Sequence, residues 1–186
     1  MLPDPLHPAM VHFPIALTAI IPLFVIGALV AIRRGAPPLK AWGLVVALMA
    51  LLASSAILTA ETGHDAEEEV EDFVDEDPIH EHEERADNLR NLAIVTVLVS
   101  AVGLAGGKVG AAGRGLGSAL SVVLLVMSYG VGKSGGELVY EHGAANAYLE
   151  GAVPLVDDDD TVADSVAAAT GADTTAVEPG GDRDPD

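Results

Sequence analysis

Six histidines carry most of the chemistry available to this chain: His7, His12, His64, His80, His82 and His142. Imidazole is a pH-tunable base and a ligand for iron, copper and zinc, so its placement decides what the protein could bind. His7 and His12 stand in "HPAMVHFPIAL", just before a long apolar run, and His142 stands in "GGELVYEHG" just after another. His80 and His82 lie in "IHEHEE", and His64 follows Thr62-Gly63. There is no cysteine, which excludes a disulfide framework, a thiolate metal site and covalent c-type haem. Any redox centre must therefore be held by His, Met or carboxylate. No Ser–His–Asp or HExxH arrangement is present, and "MSYGVGKSGG" lacks the first glycine of a phosphate-binding loop. The residues thus point away from a stand-alone enzyme.

The elements that must position these histidines follow from composition. Half of the 186 residues are hydrophobic, yet the formal charge is −19. A single soluble surface cannot hold both properties, so apolar and acidic residues must be segregated along the chain. Residues 13–32, 41–60, 92–107 and 115–132 contain no Asp, Glu, Lys or Arg. A helix of twenty such residues is about 30 Å long, the hydrocarbon thickness of a bilayer. The expected fold is therefore an all-α, multi-pass membrane protein of the cell membrane. It has four transmembrane helices (about 13–32, 41–60, 90–107 and 115–133) in an up-down-up-down bundle over residues 1–150. The first run lacks the basic leader of a signal peptide and reads as a retained helix. Small residues (Ser100, Gly103 and Gly107; Gly117, Ser121, Ser128 and Gly132) favour close helix packing, and Pro22 is expected to kink the first span.

Charge sets the orientation. Arg33, Arg34 and Lys40 lie between the first two spans, and Lys108 and Arg114 between the last two. The positive-inside rule places these short loops in the cytoplasm and both termini outside, together with an acidic loop over 61–88. Within that loop Ala66, Val70, Phe73 and Val74 recur at helical spacing, which predicts a short surface helix ended by Asp77-Pro78. Residues 151–186 read as a disordered acidic tail. Acidity confined to the aqueous parts fits a high-salt environment and argues against nucleic acid as a partner.

With this topology all six histidines fall at the outer face. His12 and His142 sit beside helix ends and suit axial ligation of a haem b. Arg85, Arg90, Lys133 and Tyr140 could meet its propionates. His7, His12, His82 and His142 form the corresponding metal-ligand set, with copper, zinc or no cofactor as alternatives to haem. His80 and His82, two apart on a helix, should face opposite ways. Thr62-Gly63 reads as a helix end, and Pro8 as holding His7 extended.

The motifs "HPAMVHFP", Thr62-Gly63, "IHEHE" and "GGELVYEHG" resemble those of a family of small four-helix membrane proteins, domain of unknown function 2231, over roughly residues 5–145. His7, His12, His82 and His142 match its motifs. The resemblance implies a redox setting, because such domains are found joined to or encoded near cytochrome c or Rieske iron–sulfur proteins. The expected function is an outward-facing histidine layer that binds haem b or a metal ion and relays electrons. The alternative is a non-catalytic scaffold or interaction subunit of a redox or transport complex in the lipid bilayer.

Overall fold

The computed structural model describes residues 6–149. The acidic tail expected over 151–186 lies outside the described residues. One short helix, α1 (His7–Met10), leads into four long ones: α2 (His12–Arg33), α3 (Pro38–Val70), α4 (Glu76–Val102) and α5 (Gly107–Tyr140). A 3₁₀ turn over Ala144–Tyr148 follows. No strand occurs among the described residues.

The four long helices close into a ring in which α2 touches α3 and α5, and α4 touches the same two. Neighbours run antiparallel, as individual contacts show. Trp42, near the start of α3, donates its indole N–H to the Ser100 carbonyl near the end of α4 at 2.9 Å. Thr18 of α2 meets Ser128 of α5 at 2.8 Å through their hydroxyls. Such a hydroxyl pair gives two helices a polar contact inside an otherwise apolar interface. Around it lies one continuous core, which includes Ile21, Val25, Trp42, Val45, Met49, Leu52 and Leu124. The small residues act as the spacing suggested. An added Cβ on Gly117 would stand 2.6 Å from the Ser100 hydroxyl, and one on Gly113 would stand 2.6 Å from the Gly103 nitrogen. Only glycine lets α4 and α5 approach this closely.

Large apolar side chains cover the outside as well. Leu23, Leu51, Leu98 and Val126 are all more than half exposed. A bundle that is apolar on both its inner and outer faces is suited to lipid rather than water. Among the described residues, three helical stretches are long and apolar enough to cross a membrane: His7–Arg33, which joins α1 and α2, Pro38–Val70 and Gly107–Tyr140.

The third expected span differs from its reading. α4 ends at Val102 rather than near residue 107, and Gly107 (φ +66°) already opens α5. Arg85, Asp87 and Arg90 occupy the middle of α4. Only Asn91–Val102 is free of charge, a stretch of roughly 18 Å. Arg114 also differs from its reading as a loop charge. It lies in the second turn of α5, buried, and donates to the Gly103 and Ala105 carbonyls at 2.5 and 3.2 Å. These carbonyls belong to the turn that leaves α4, where helical partners run out, so the guanidinium serves as a cap supplied from the next helix.

The acidic segment over 61–88 is not a loop. α3 continues through Thr62-Gly63 without a break to Val70, and only five residues, Glu71–Asp75, separate it from α4. Of the separate surface helix expected around 66–74, residues 66–70 belong to this extension of α3, and Phe73 and Val74 lie in the link. Asp77-Pro78 begins a helix instead of ending one. Proline is tolerated there because the first turn of a helix has no partner for its N–H groups. Val74, Ile79 and Ala144 form a second small core over the extension, with Val70, Phe73 and Leu138 packed against it.

Candidate functional site

The site begins with a proline. Pro14 has no N–H to give the carbonyl of Met10, four residues back, and α2 is offset from α1 at Val11. The Thr59 hydroxyl of α3 donates to that freed Met10 carbonyl at 3.4 Å. The lead-in is thereby held against the C-terminal half of α3. His7 opens α1 in helical conformation, so Pro8 does not keep it extended as its sequence suggested.

The His7 ring lies on α3 at Gly63. A Cβ at this glycine would stand 3.2 Å from His7 Cε1, so Gly63 provides room for an imidazole within a running helix. Gly135 of α5 does the same for His82 of α4, where an added Cβ would come to 3.0 Å from the ring. The two imidazoles thus meet between helix backbones, with centroids 6.5 Å apart and planes at 85°.

Hydrogen bonds fix the protons on both rings. His7 Nδ1 lies 3.1 Å from the Thr59 carbonyl and 3.3 Å from the Thr62 hydroxyl oxygen. A carbonyl only accepts, and the Thr62 hydroxyl has already given its hydrogen to Thr59 O at 2.9 Å. Nδ1 of His7 therefore carries the hydrogen. His82 Nδ1 lies 2.9 Å from Ser134 Oγ, whose own hydrogen goes to the Val131 carbonyl at 3.1 Å. The same reasoning puts the hydrogen of His82 on Nδ1. Each neutral ring then presents Nε2 as a lone pair, the arrangement in which second partners prepare a histidine for a metal.

Electrostatics keeps at least one ring neutral. Burial, reinforced by the neighbouring His7 and then by the Arg85 guanidinium, pushes His82 down to about 4. Loss of water disfavours the imidazolium, and nearby positive charge adds to the effect.

The remaining expected residues are distributed as follows. His12 is exposed, and its Nδ1–H donates to the Pro8 carbonyl, 2.8 Å away, one turn before it. His142 is exposed beyond α5, where its backbone N–H bonds to Glu137 O. Of the four-histidine ligand set, the structure thus brings His7 and His82 together as a pair and leaves His12 and His142 at the surface. Arg85 is engaged by Glu81 at 2.5 Å and Arg90 by Asp87 at 2.7 Å. Lys133 pairs with Glu137, and Tyr140 is 89% exposed. As expected, His80 and His82 face different ways, one exposed and one half-buried.

Sequence reasoning missed Thr59, Gly63 and Ser134 as parts of the site, and the companion cluster His64, Glu67 and Glu83. The ligand atoms of that cluster lie within 4.8 Å of one another. A signal for it existed in the H-x-x-E spacing of "HDAE" and "HEHE".

The family model described as "Predicted membrane protein (DUF2231)" matches residues 3–148. No curated protein and no solved structure matches the chain.

Proposed function

The chain belongs to the DUF2231 family of predicted membrane proteins, and on that footing we propose that it is a four-span protein whose outer end holds a d-block metal through Nε2 of His7 and His82. α4 completes the four crossings in this reading, with the Arg33, Lys40 and Lys108 end of the bundle in the cytoplasm. Both termini and the histidine pair then face outward.

The single observation that carries the metal reading is the matched pair of imidazoles, each with Nδ1–H committed to an oxygen and each accommodated by a glycine. Metal–nitrogen distances of ~2.0–2.1 Å on both sides would set two linearly opposed ring centroids ~6.3 Å apart, close to the 6.5 Å between these rings. Imidazole nitrogen suits copper, iron and zinc, so a redox-active ion at this position could pass electrons at the outer surface. The donor set favours a bare ion over haem. Arg85 and Arg90, which would have met propionates, are taken by carboxylates on their own helix, and Tyr140 points into solvent exposure.

The test is metal analysis and optical spectroscopy of the purified protein in detergent, with His7→Ala and His82→Ala beside wild type. Wild type should retain about one equivalent of copper or iron after desalting, and both variants should lose it. A Soret band lost in the same variants would assign the iron to haem. Wild type that neither carries nor takes up copper, iron or haem overturns the proposal.

A further inference from the structure

A second constellation lies on the aqueous extension, on residues outside the histidine pair. α3 carries His64 and Glu67, and α4 carries His80 and Glu83, each pair three residues apart and so on one helix face. The two faces meet. His64 Nδ1 stands 3.2 Å from Glu83 Oε1 and 3.6 Å from Glu67 Oε2, and His80 Nδ1 stands 3.7 Å from Glu83 Oε2. Glu83 is thus flanked by two imidazoles, one on each of its oxygens.

We infer that His64, Glu67 and Glu83 form a zinc site that joins α3 to α4 above the membrane, with water as the fourth ligand of the tetrahedron. In a tetrahedron with metal–ligand bonds of ~2.0–2.1 Å, ligand atoms are ~3.3 Å apart. The 3.2 and 3.6 Å from His64 Nδ1 to the two carboxylates lie near that value, and the ligand atoms of all three residues fall within 4.8 Å of one another. One imidazole nitrogen and two carboxylate oxygens, with water, are a donor set that zinc accepts, and two negative ligands offset its charge. His64 is about half exposed, at 51%, so the ion can enter from solvent. The five-residue link Glu71–Asp75 would then be spanned by a metal cross-link between the helices that it connects.

The experiment is a zinc titration by calorimetry of the full chain in detergent, after chelator treatment, on a His82→Asn background that removes the inner pair. Cobalt(II) serves as a second probe, because its visible absorption reports coordination geometry. One equivalent of zinc should bind, and cobalt should give the intense bands of a tetrahedral complex. His64→Gln and Glu83→Gln should each weaken zinc by about tenfold or more. Glu68→Gln, a neighbouring exposed carboxylate outside the cluster, should leave the affinity unchanged. Equal affinity in His64→Gln, Glu83→Gln and the parent, or a weakening by Glu68→Gln as large as theirs, overturns the site in favour of simple ion pairs. Because the parent already lacks His82, a negative result here leaves the inner pair's own test unaffected.

Discussion

Acidification should destabilise the bundle through His82, and the size of the effect follows from its surroundings. In an unfolded chain an imidazole titrates near 6.5, whereas in this fold His82 is held at about 4. Above pH 6.5 the ring is neutral in both states and contributes no pH dependence. Between 6.5 and 4 the unfolded chain takes up a proton that the folded chain refuses, so stability falls with pH, at up to ~1.4 kcal/mol per unit. Below 4 both states are protonated and the loss levels off. The full window amounts to about 3 kcal/mol, a large part of the 5–15 kcal/mol typical of a domain. Carboxylates titrate in the same range, so the effect must be read as a difference between proteins. Thermal unfolding in detergent, followed by circular dichroism from pH 8 to 4, would be compared for wild type and His82→Asn. Asparagine keeps a donor for Ser134 and removes the titrating ring. The advantage of wild type over the variant should shrink steadily as pH drops from 6.5 to 4. A difference that stays flat across this interval would refute the assignment of a half-buried, neutral His82.

Two further substitutions probe the frame. Gly135→Ala should displace the His82 ring, since the new methyl would stand 3.0 Å from it. A cost of about 1–3 kcal/mol is expected from such overpacking, while Gly130→Ala, with nothing within 4 Å, should be neutral or stabilising in the same unfolding assay. Arg114→Met should leave the Gly103 and Ala105 carbonyls without their donor. A loss of about 3 kcal/mol follows from two such bonds to a charged group, and unfolding by detergent titration within ~0.5 kcal/mol of wild type would show that the cap is not needed.

The long apolar runs were legible because a membrane helix states its length in its own composition. α2 and the first part of α3 lie where charge-free stretches of twenty residues put them. Gly63 was misread for an instructive reason. A glycine ends a helix when the chain turns left-handed there, but this one stays helical to admit a ring from α1. The same local signal serves two purposes, and only the tertiary contact separates them. Arg114 illustrates the same limit. As a charge between two apolar runs it reads as a loop residue, and nothing nearby reveals the open carbonyls of α4 that it satisfies. The histidines stood out in the sequence by type and spacing, but their partition into a half-buried pair, a solvent-facing cluster and two exposed residues depends on which helices touch. His80 and His82 were separable from periodicity alone because they share one helix.

With α4 as the fourth crossing proposed above, its short charge-free half would have a consequence for the surrounding lipid. Its ~18 Å falls some 12 Å below the hydrocarbon thickness that its neighbours can fill. On that flank the bilayer must pinch, or draw headgroups and water down toward Arg90 and Asp87, at fractions of a kcal/mol per Å of mismatch. The circumference of the bundle is therefore uneven in hydrophobic height. Such a protein prefers thin membranes, and a second one presenting the same indentation would relieve the deformation by sharing it. Bilayer thickness thereby becomes a variable that sorts this protein and selects what stands beside α4.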